Sequence, residues 1–424
     1  IMIIMKIKTN SQAGIVLLAF LLLSAIPSVA QNGINSPYSR YGLGILSDQS
    51  VGRLKSMGGV GTGFREKNVI NLKNPASYSL VDTLTFIADM GFSMRYGNFQ
   101  EAGTKVNAAN AGIDYMAMQF RIQPRIGVTI AFLPYSNVGY DFSSSQLVRR
   151  DMDGEITATS YNAGSGGLRQ FMGGFGWRPF EWLSVGANAS FLKGDMKHIV
   201  RSSSSSSDVT DRTVTRATSL SALKLDFGAQ TTVRTGKDSR FVAGVTWTRF
   251  DGMKDNTTFS DVHTTGDTTQ LANAFVMPDE LAFGFSYTWK NKTIAADVAY
   301  ENWSVARFFG QDYGLDRIKA SAGFRICPDE SSKRLFAHSS YQAGFSFAQP
   351  YYKVEGANGP FEFNASAGIS MPIASAYNSM AYVHVTGSYQ RIQPQCSNMI
   401  CENYMVLSLA VTFMETWFQK WLVE

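Results

Sequence analysis

From Thr83 to Tyr96 the chain reads TLTFIADMGFSMRY, and its apolar residues fall on every second position. Leu84, Phe86, Ala88, Met90, Phe92, Met94 and Tyr96 share one face, while Thr85, Ile87, Asp89, Gly91, Ser93 and Arg95 share the other. Successive side chains of a strand point to opposite sides, so a period of two predicts a β-strand. The run is longer than the usual soluble strand of about five or six residues, and it suits a tilted membrane-spanning strand of about nine to eleven.

The pattern recurs along the chain. YMAMQFRI sets Met116, Met118, Phe120 and Ile122 against Gln119 and Arg121. WLSVGANASF, LKLDFGAQ, TIAADVAYE and YMVLSLAVTF repeat it, placing Lys224, Asp226, Asp297 and Glu301 on the polar phase. Short turns near 123–125, 178–181, 234–239, 290–292 and 373–378, with a medium one at 327–337, alternate with long polar stretches. Those stretches lie near 98–111, 143–161, 194–219, 249–276, 304–315, 348–361 and 392–403. Short and long connections in rotation are the pattern of an outer-membrane barrel. The expectation is an all-β fold, a 14-stranded antiparallel transmembrane β-barrel over 81–413, closed because an open edge in lipid leaves backbone groups unpaired. A soluble sandwich or propeller shares the two-faced strands but not the loop asymmetry, strand length or Phe-rich outer face.

Residues 31–80 precede the first strand and lack alternation. SMGGVGTGFREKNVINLKNPASYS opens with Gly58, Gly59, Gly61 and Gly63 and ends near Asn74, Pro75 and Ala76. A P-loop would need Lys and Ser or Thr after its last glycine, where Phe64 and Arg65 stand; a dinucleotide fingerprint would need glycine at 64. A lumen inside fourteen strands leaves a channel unless filled. Glycine permits tight bends and close backbone approach, so this segment reads as a plug, or hatch, in the lumen. The inward charges Asp89, Arg95, Arg121, Asp297 and Glu301 then either line a hydrated path or pair with the hatch.

The ends add localisation. Lys6 and Lys8, the apolar run Ala13–Ile26 and Ser28-Val29-Ala30 form a signal peptide over 1–30, with cleavage expected before Gln31. The formal net charge of +5 falls by two with Lys6 and Lys8, too little for a nucleic-acid partner. Aromatic residues make up 13% of the chain, including 29 Phe and 18 Tyr, which calls for a surface facing outer-membrane lipid. Of three cysteines, Cys396 and Cys401 are spaced to close a small loop or to remain as thiols. The four histidines show no ligand spacing, and no catalytic set, cofactor motif or metal site emerges. The tail, 414–424, carries Trp417, Phe418, Trp421 and Leu422 at helical spacing. It reads as an interfacial helix or as a docking surface for a periplasmic protein.

The order of MGGVGTG (57–63), NPA (74–76), LPY (133–135), MPDELAFGFSY (277–287) and ADVAYENWS (296–304) resembles the FadL-type family of outer-membrane transporters of long-chain fatty acids and other hydrophobic compounds. The opening NSPYSRYGLG and the ending ENYMVLSLAVTFMETWFQKW resemble a FadL-like subgroup. The resemblance implies a hatch, loop-borne capture of a hydrophobic small molecule, and sideways exit where the third strand is kinked, here at Pro134 and Tyr135. Proline removes a ladder donor, so Pro134 marks a kink or the strand's upper end. The family's apolar capture groove comes from the third and fourth outer loops; here these are polar, with RSSSSSSDVTDRTVTR at 201–216. Passive uptake across the outer membrane of a Gram-negative bacterium, with both termini periplasmic, is the leading expectation. The alternative is a non-transporting barrel subunit of a larger complex for protein secretion or barrel assembly.

Overall fold

Strands that lie in lipid have one way to satisfy their backbone: each pairs on both edges, so the sheet closes. The computed structural model describes residues 33–416, apart from 83–84, 102–103, 152–153, 206–209, 263–267, 273–274, 309–310, 329–331, 333, 355, 375–379 and 397–398. Fourteen antiparallel strands form the wall. They are β1 (Thr85–Glu101), β2 (Thr104–Gln123) and β3, made of a lower arm (Ile126–Pro134) and an upper arm (Ser136–Asp151). Next come β4 (Gly154–Trp177), β5 (Leu183–Ser204), β6 (Arg212–Gly236) and β7 (Ser239–Asp261). Shorter strands follow: β8 (Glu280–Trp289), β9 (Lys292–Glu301), β10 (Arg317–Ile326) and β11 (Ser340–Ala348). The last are β12 (Phe361–Ala374), β13 (Met380–Gln393) and β14 (Cys401–Thr416). β14 pairs back onto β1 from Cys401↔Gln100 to Thr416↔Thr85, which closes the barrel.

The expected strand number is present. Two details differ. The polar stretches 98–111, 143–161, 194–219 and 249–276 are in large part strand rather than loop. β5 and β6 stay paired up to Ser202↔Arg212, and β6 and β7 up to Val214↔Asp261. Thr-, Ser- and Val-rich sequence keeps its strand preference after it leaves the lipid; only the outward hydrophobicity stops. β6 has 25 residues against the roughly ten a spanning strand needs, so more than half of it stands clear of a bilayer. Met414–Thr416, assigned to the tail, belong to the last strand because they pair with Thr85–Ile87. The signal peptide and Trp417, Phe418, Trp421 and Leu422 lie outside the described residues.

The wall changes sidedness along its height. Near the turn end, Phe171, Phe175, Phe191, Phe227, Phe283 and Leu407 face outward and exposed. Trp177, Phe180 and Trp182 crowd the turn itself, with Phe180 stacked on Trp182 at 5.7 Å, as expected of an interfacial aromatic belt. Above this band the same alternate positions stay inward but the two faces exchange polarity. In β5, Ser184, Asn188 and Ser190 are buried low in the lumen, whereas Leu192, Met196 and His198 are buried higher up. Outward, Phe191 gives way to exposed Lys193, Asp195 and Lys197.

Residues 33–82, the segment expected to be the hatch, pack on the inward side of the wall. They contain 3-10 turns at Pro37–Arg40, Gly52–Met57 and Pro75–Leu80, and a two-residue strand, Ile45–Leu46. The first part, with Ile34, Tyr38, Leu43 and Ile45, joins the apolar core of the tall end with Leu192, Met196, Trp303, Phe308 and Tyr351. The later part packs lower, where Leu54, Met57, Val60 and Phe64 cluster with Ala295 of the wall.

Candidate functional site

The candidate site is the junction of hatch and wall. Gly58 ends the turn Gly52–Met57 in the left-handed region, at φ 70°, which turns the following glycine stretch across the lumen. The backbone N–H groups of Gly61, Thr62 and Gly63 then converge on the buried Asp297 carboxylate, at 2.5, 2.8 and 3.3 Å. Consecutive N–H groups aimed at one point form an anion-binding concavity, and charge-assisted bonds to it are the strong kind. The stretch is therefore an anion cradle whose anion is a carboxylate of the wall itself.

The remaining plug residues lock the same junction. Asn74 accepts from Ala76 N at 3.1 Å and gives its amide to Thr62 O at 2.8 Å; Pro75 opens the turn Pro75–Leu80, where a missing N–H costs nothing. Gly59 O accepts from Lys73 Nζ. Gly58, Gly59, Gly61, Gly63, Asn74, Pro75 and Ala76 are all buried.

The wall answers with glycines of its own. Gly127, Gly176, Gly186 and Gly228 stand side by side on β3, β4, β5 and β6 as one row across four strands. A Cβ at Gly186 would lie 2.5 Å from Pro75 C, and one at Gly344 would lie 2.1 Å from Gly58 N. Main chain thus lies on main chain, closer than any side chain would permit. The sequence reading missed these residues. Their signal was available: a glycine on the inward phase of strand after strand, as in RIGVT, FGW, SVGAN and LDFGAQ.

The predicted lumen charges divide into groups. Asp297, Glu301, Lys224 and Asp226 line one cavity of about 120 Å³, together with Asp48 and Lys73 of the hatch. Lys224 pairs with Asp226 at 2.8 Å, and Arg317 joins Glu301 at 3.0 Å to Glu362 at 3.2 Å. Asp48 meets Lys73 and Lys319, each at 3.3 Å. Burial alone would raise the Asp48 carboxyl, but the two ammonium groups and the Ser50 hydroxyl hold it below the usual carboxylate range. Burial would likewise raise Glu66, yet the Arg325 and Arg53 guanidiniums hold it down.

The others lie elsewhere. Asp89 is buried against Tyr115 Oη at 2.8 Å and Thr412 Oγ1 at 3.0 Å. Arg95 lies over the Tyr404 ring, 5.6 Å from its centre. Arg121 sits at the turn end, donating to Gln123 O and to Val81 O of the hatch at 3.1 and 3.4 Å. These three do not join the cavity. Cys396 and Cys401, expected to be bonded or free, are free thiols; Cys401 is held in strand register opposite Gln100 while Cys396 lies in the exposed connection.

At Pro134 the third strand breaks into its two arms, both of which pair with β4: Pro134↔Arg169 below and Val138↔Gly166 above. The lower arm also pairs with β2, up to Met116↔Phe132. Above that pair, no ladder joins β2 to the upper arm among the described residues. The upper arm's edge is taken by the hatch instead: Ile45↔Asn137, Leu46↔Ser136, and Ser47 N to Tyr135 O at 2.9 Å. The seam in the wall is thus backed from inside by hatch backbone.

Comparison with known proteins accords with this geometry. No curated protein matches the chain by sequence. Among solved structures, the Ralstonia pickettii toluene transporter TbuX is similar with a TM-score of 0.57 and 12% identity, covering 87% of this chain and 98% of that one. The P. putida toluene transporter TodX is similar at 0.56 and 12%, covering 88% and 100%. A Pseudomonas aeruginosa FadL homologue is similar at 0.55 and 9%, covering 88% and 99%. At these identities the likeness establishes the fold, that of FadL-type outer-membrane barrels. The model of the BamG family matches residues 13–423, and the chain belongs to that family.

Proposed function

We propose that this BamG-family barrel is a non-transporting subunit of a larger outer-membrane assembly, one that secretes proteins or builds other barrels. The observation that carries the reading is a lumen closed twice. Lower down, hatch main chain rests on wall main chain and is fastened through Asp297. Higher up, Ile34, Tyr38 and Leu43 are sunk in an apolar core with Trp303 and Tyr351. The cavity between the two is small, charged and poorly suited to an acyl chain. The tall hairpins β4 to β7 offer polar strand faces outside the membrane, a surface suited to protein contact. In this reading the turns face the periplasm, the hatch enters from there, and no covalent chemistry is performed.

A second reading has one specific support. The seam between β2 and the upper arm of β3, beside Pro134 and Tyr135, is where a hydrophobic compound such as a long-chain fatty acid would leave sideways. Native mass spectrometry of protein extracted gently from its own membranes separates the two. The subunit reading expects a complex of fixed composition without acyl adducts. A barrel-sized mass carrying fatty-acid-sized adducts would overturn it in favour of uptake.

A further inference from the structure

A second cavity, of about 190 Å³, lies at the turn end between hatch and wall. Arg65 and Glu66 enter it from the hatch, and Arg240, Lys290 and Arg325 from β7, the β8–β9 turn and β10. Four cations thus surround one carboxylate. That carboxylate is already engaged, by Arg325 at 2.7 Å and by Arg53 at 3.4 Å. Arg65 donates to a neutral hydroxyl, Ser79 Oγ, at 2.9 Å. The Nε of Arg240 is buried without a hydrogen-bond partner. Among the described residues neither Arg65, Arg240 nor Lys290 takes part in an ion pair. Burial and the nearby Arg178 and Arg240 charges push the Arg65 guanidinium down to about 10, as expected where cations face one another uncompensated.

We infer that this cavity is an oxyanion site that takes a phosphate group, either as inorganic phosphate or as the phosphomonoester of a lipid headgroup. Guanidinium forks match tetrahedral and planar oxyanions, and a lysine supplies a compact point charge. A phosphate with about 1.5 to 2 negative charges offsets most of the surplus, whereas a carboxylate offsets less. The volume suits such a group with a few waters and excludes an acyl chain or a peptide. Bound there, the anion bridges Arg65 of the hatch to Arg240 and Arg325 of the wall. The inference is independent of whether the barrel works alone or within a complex.

The test is calorimetric titration of the detergent-solubilised full mature chain with inorganic phosphate, in chloride buffer of matched ionic strength. Saturable one-to-one binding is expected, together with a rise in melting temperature. Arg240→Gln should weaken it about tenfold, the loss of one charge-assisted contact. Lys290→Gln, at an exposed turn, should weaken it about threefold and keeps the test open if Arg240→Gln does not fold. Folding of each variant is read from heat-modifiable electrophoretic mobility. A short-chain phosphatidic acid that binds more tightly than inorganic phosphate identifies the lipid as source; weaker binding identifies the free ion. Absence of saturable binding at about 10 mM phosphate, or affinity unchanged in both variants, overturns the site.

Discussion

Strand β5 carries two opposite surfaces along one unbroken ladder. Its lower part turns Val185 and Phe191 outward over buried Ser184, Asn188 and Ser190; its upper part turns Lys193, Asp195 and Lys197 outward over buried Leu192 and Met196. β6 repeats the change, with Leu223 and Phe227 exposed below and Leu220 and Ala222 buried above. The difference teaches that a strand's inward face keeps its position while its polarity changes. The apolar face follows whichever side lacks water: lipid outside in the lower band, a packed interior above it. The hatch obeys the same rule. Its first stretch is apolar where the upper wall is apolar inside, and its later stretch meets the lower lumen through backbone and paired charge beside smaller apolar clusters.

The contrast can be broken from either side. The largest effect is expected in the upper interior, where Trp303 is buried beside Tyr351 at 4.5 Å. Trp303→Ala should cost about 3–5 kcal/mol, read as a lower midpoint in urea refolding. Next comes the outer surface. Leu407→Arg, in the exposed lower band, should cost about 2–4 kcal/mol in lipid vesicles, while Asp195→Arg, outward on the upper wall, should change stability by less than about 0.5. Equal effects from the two would sink the inversion. Third, Asp297→Ala leaves three converging N–H groups without their acceptor, a loss of about 1–3 kcal/mol or more. Its readout is tryptic cleavage of the hatch at Arg65 or Lys73 while the wall stays intact.

The smallest effect is one of acidity. Asp48 and Glu66 are held below the usual carboxylate range in the folded hatch, and in the unfolded chain they return to about 4. A carboxylate depressed by folding contributes fully above its unfolded pKa and loses that contribution as pH falls through the folded one. The stabilisation these two carboxylates supply should therefore be constant from neutral pH to about 5 and be lost below about 4, so that melting temperature falls less steeply over that lower range in Asp48→Asn than in the unaltered protein. An unchanged slope in that variant would remove Asp48 from the account.

Much of this was legible in the residues. Alternation alone placed Asp89, Lys224, Asp226, Asp297 and Glu301 on the buried phase. What it could not reach was distance and register. Asp297 finds its donors more than 230 positions earlier in the chain, a separation no local pattern encodes. The glycine row needs the pairing of β3 through β6 to be known before Gly127, Gly176, Gly186 and Gly228 become neighbours. The upper ends of the polar hairpins leave no such mark, because outward hydrophobicity stops at the lipid boundary while hydrogen bonding does not. Arg95 and Arg121 were placed on the right strands, but their partners, an aromatic ring and a hatch carbonyl, leave no mark in the sequence.

The row of wall glycines also bears on how such an object can be put together. The hatch turn Gly52–Met57 rests against β10 to β14 and β1, and the turn Pro75–Leu80 against β3 to β6, so between them they touch most of the circumference. The hatch precedes every strand in the polypeptide. A cylinder that closed empty would then have to admit a shaped length of main chain past wall glycines where main chain lies on main chain. Winding the sheet around the hatch before the last strand meets the first would avoid that passage.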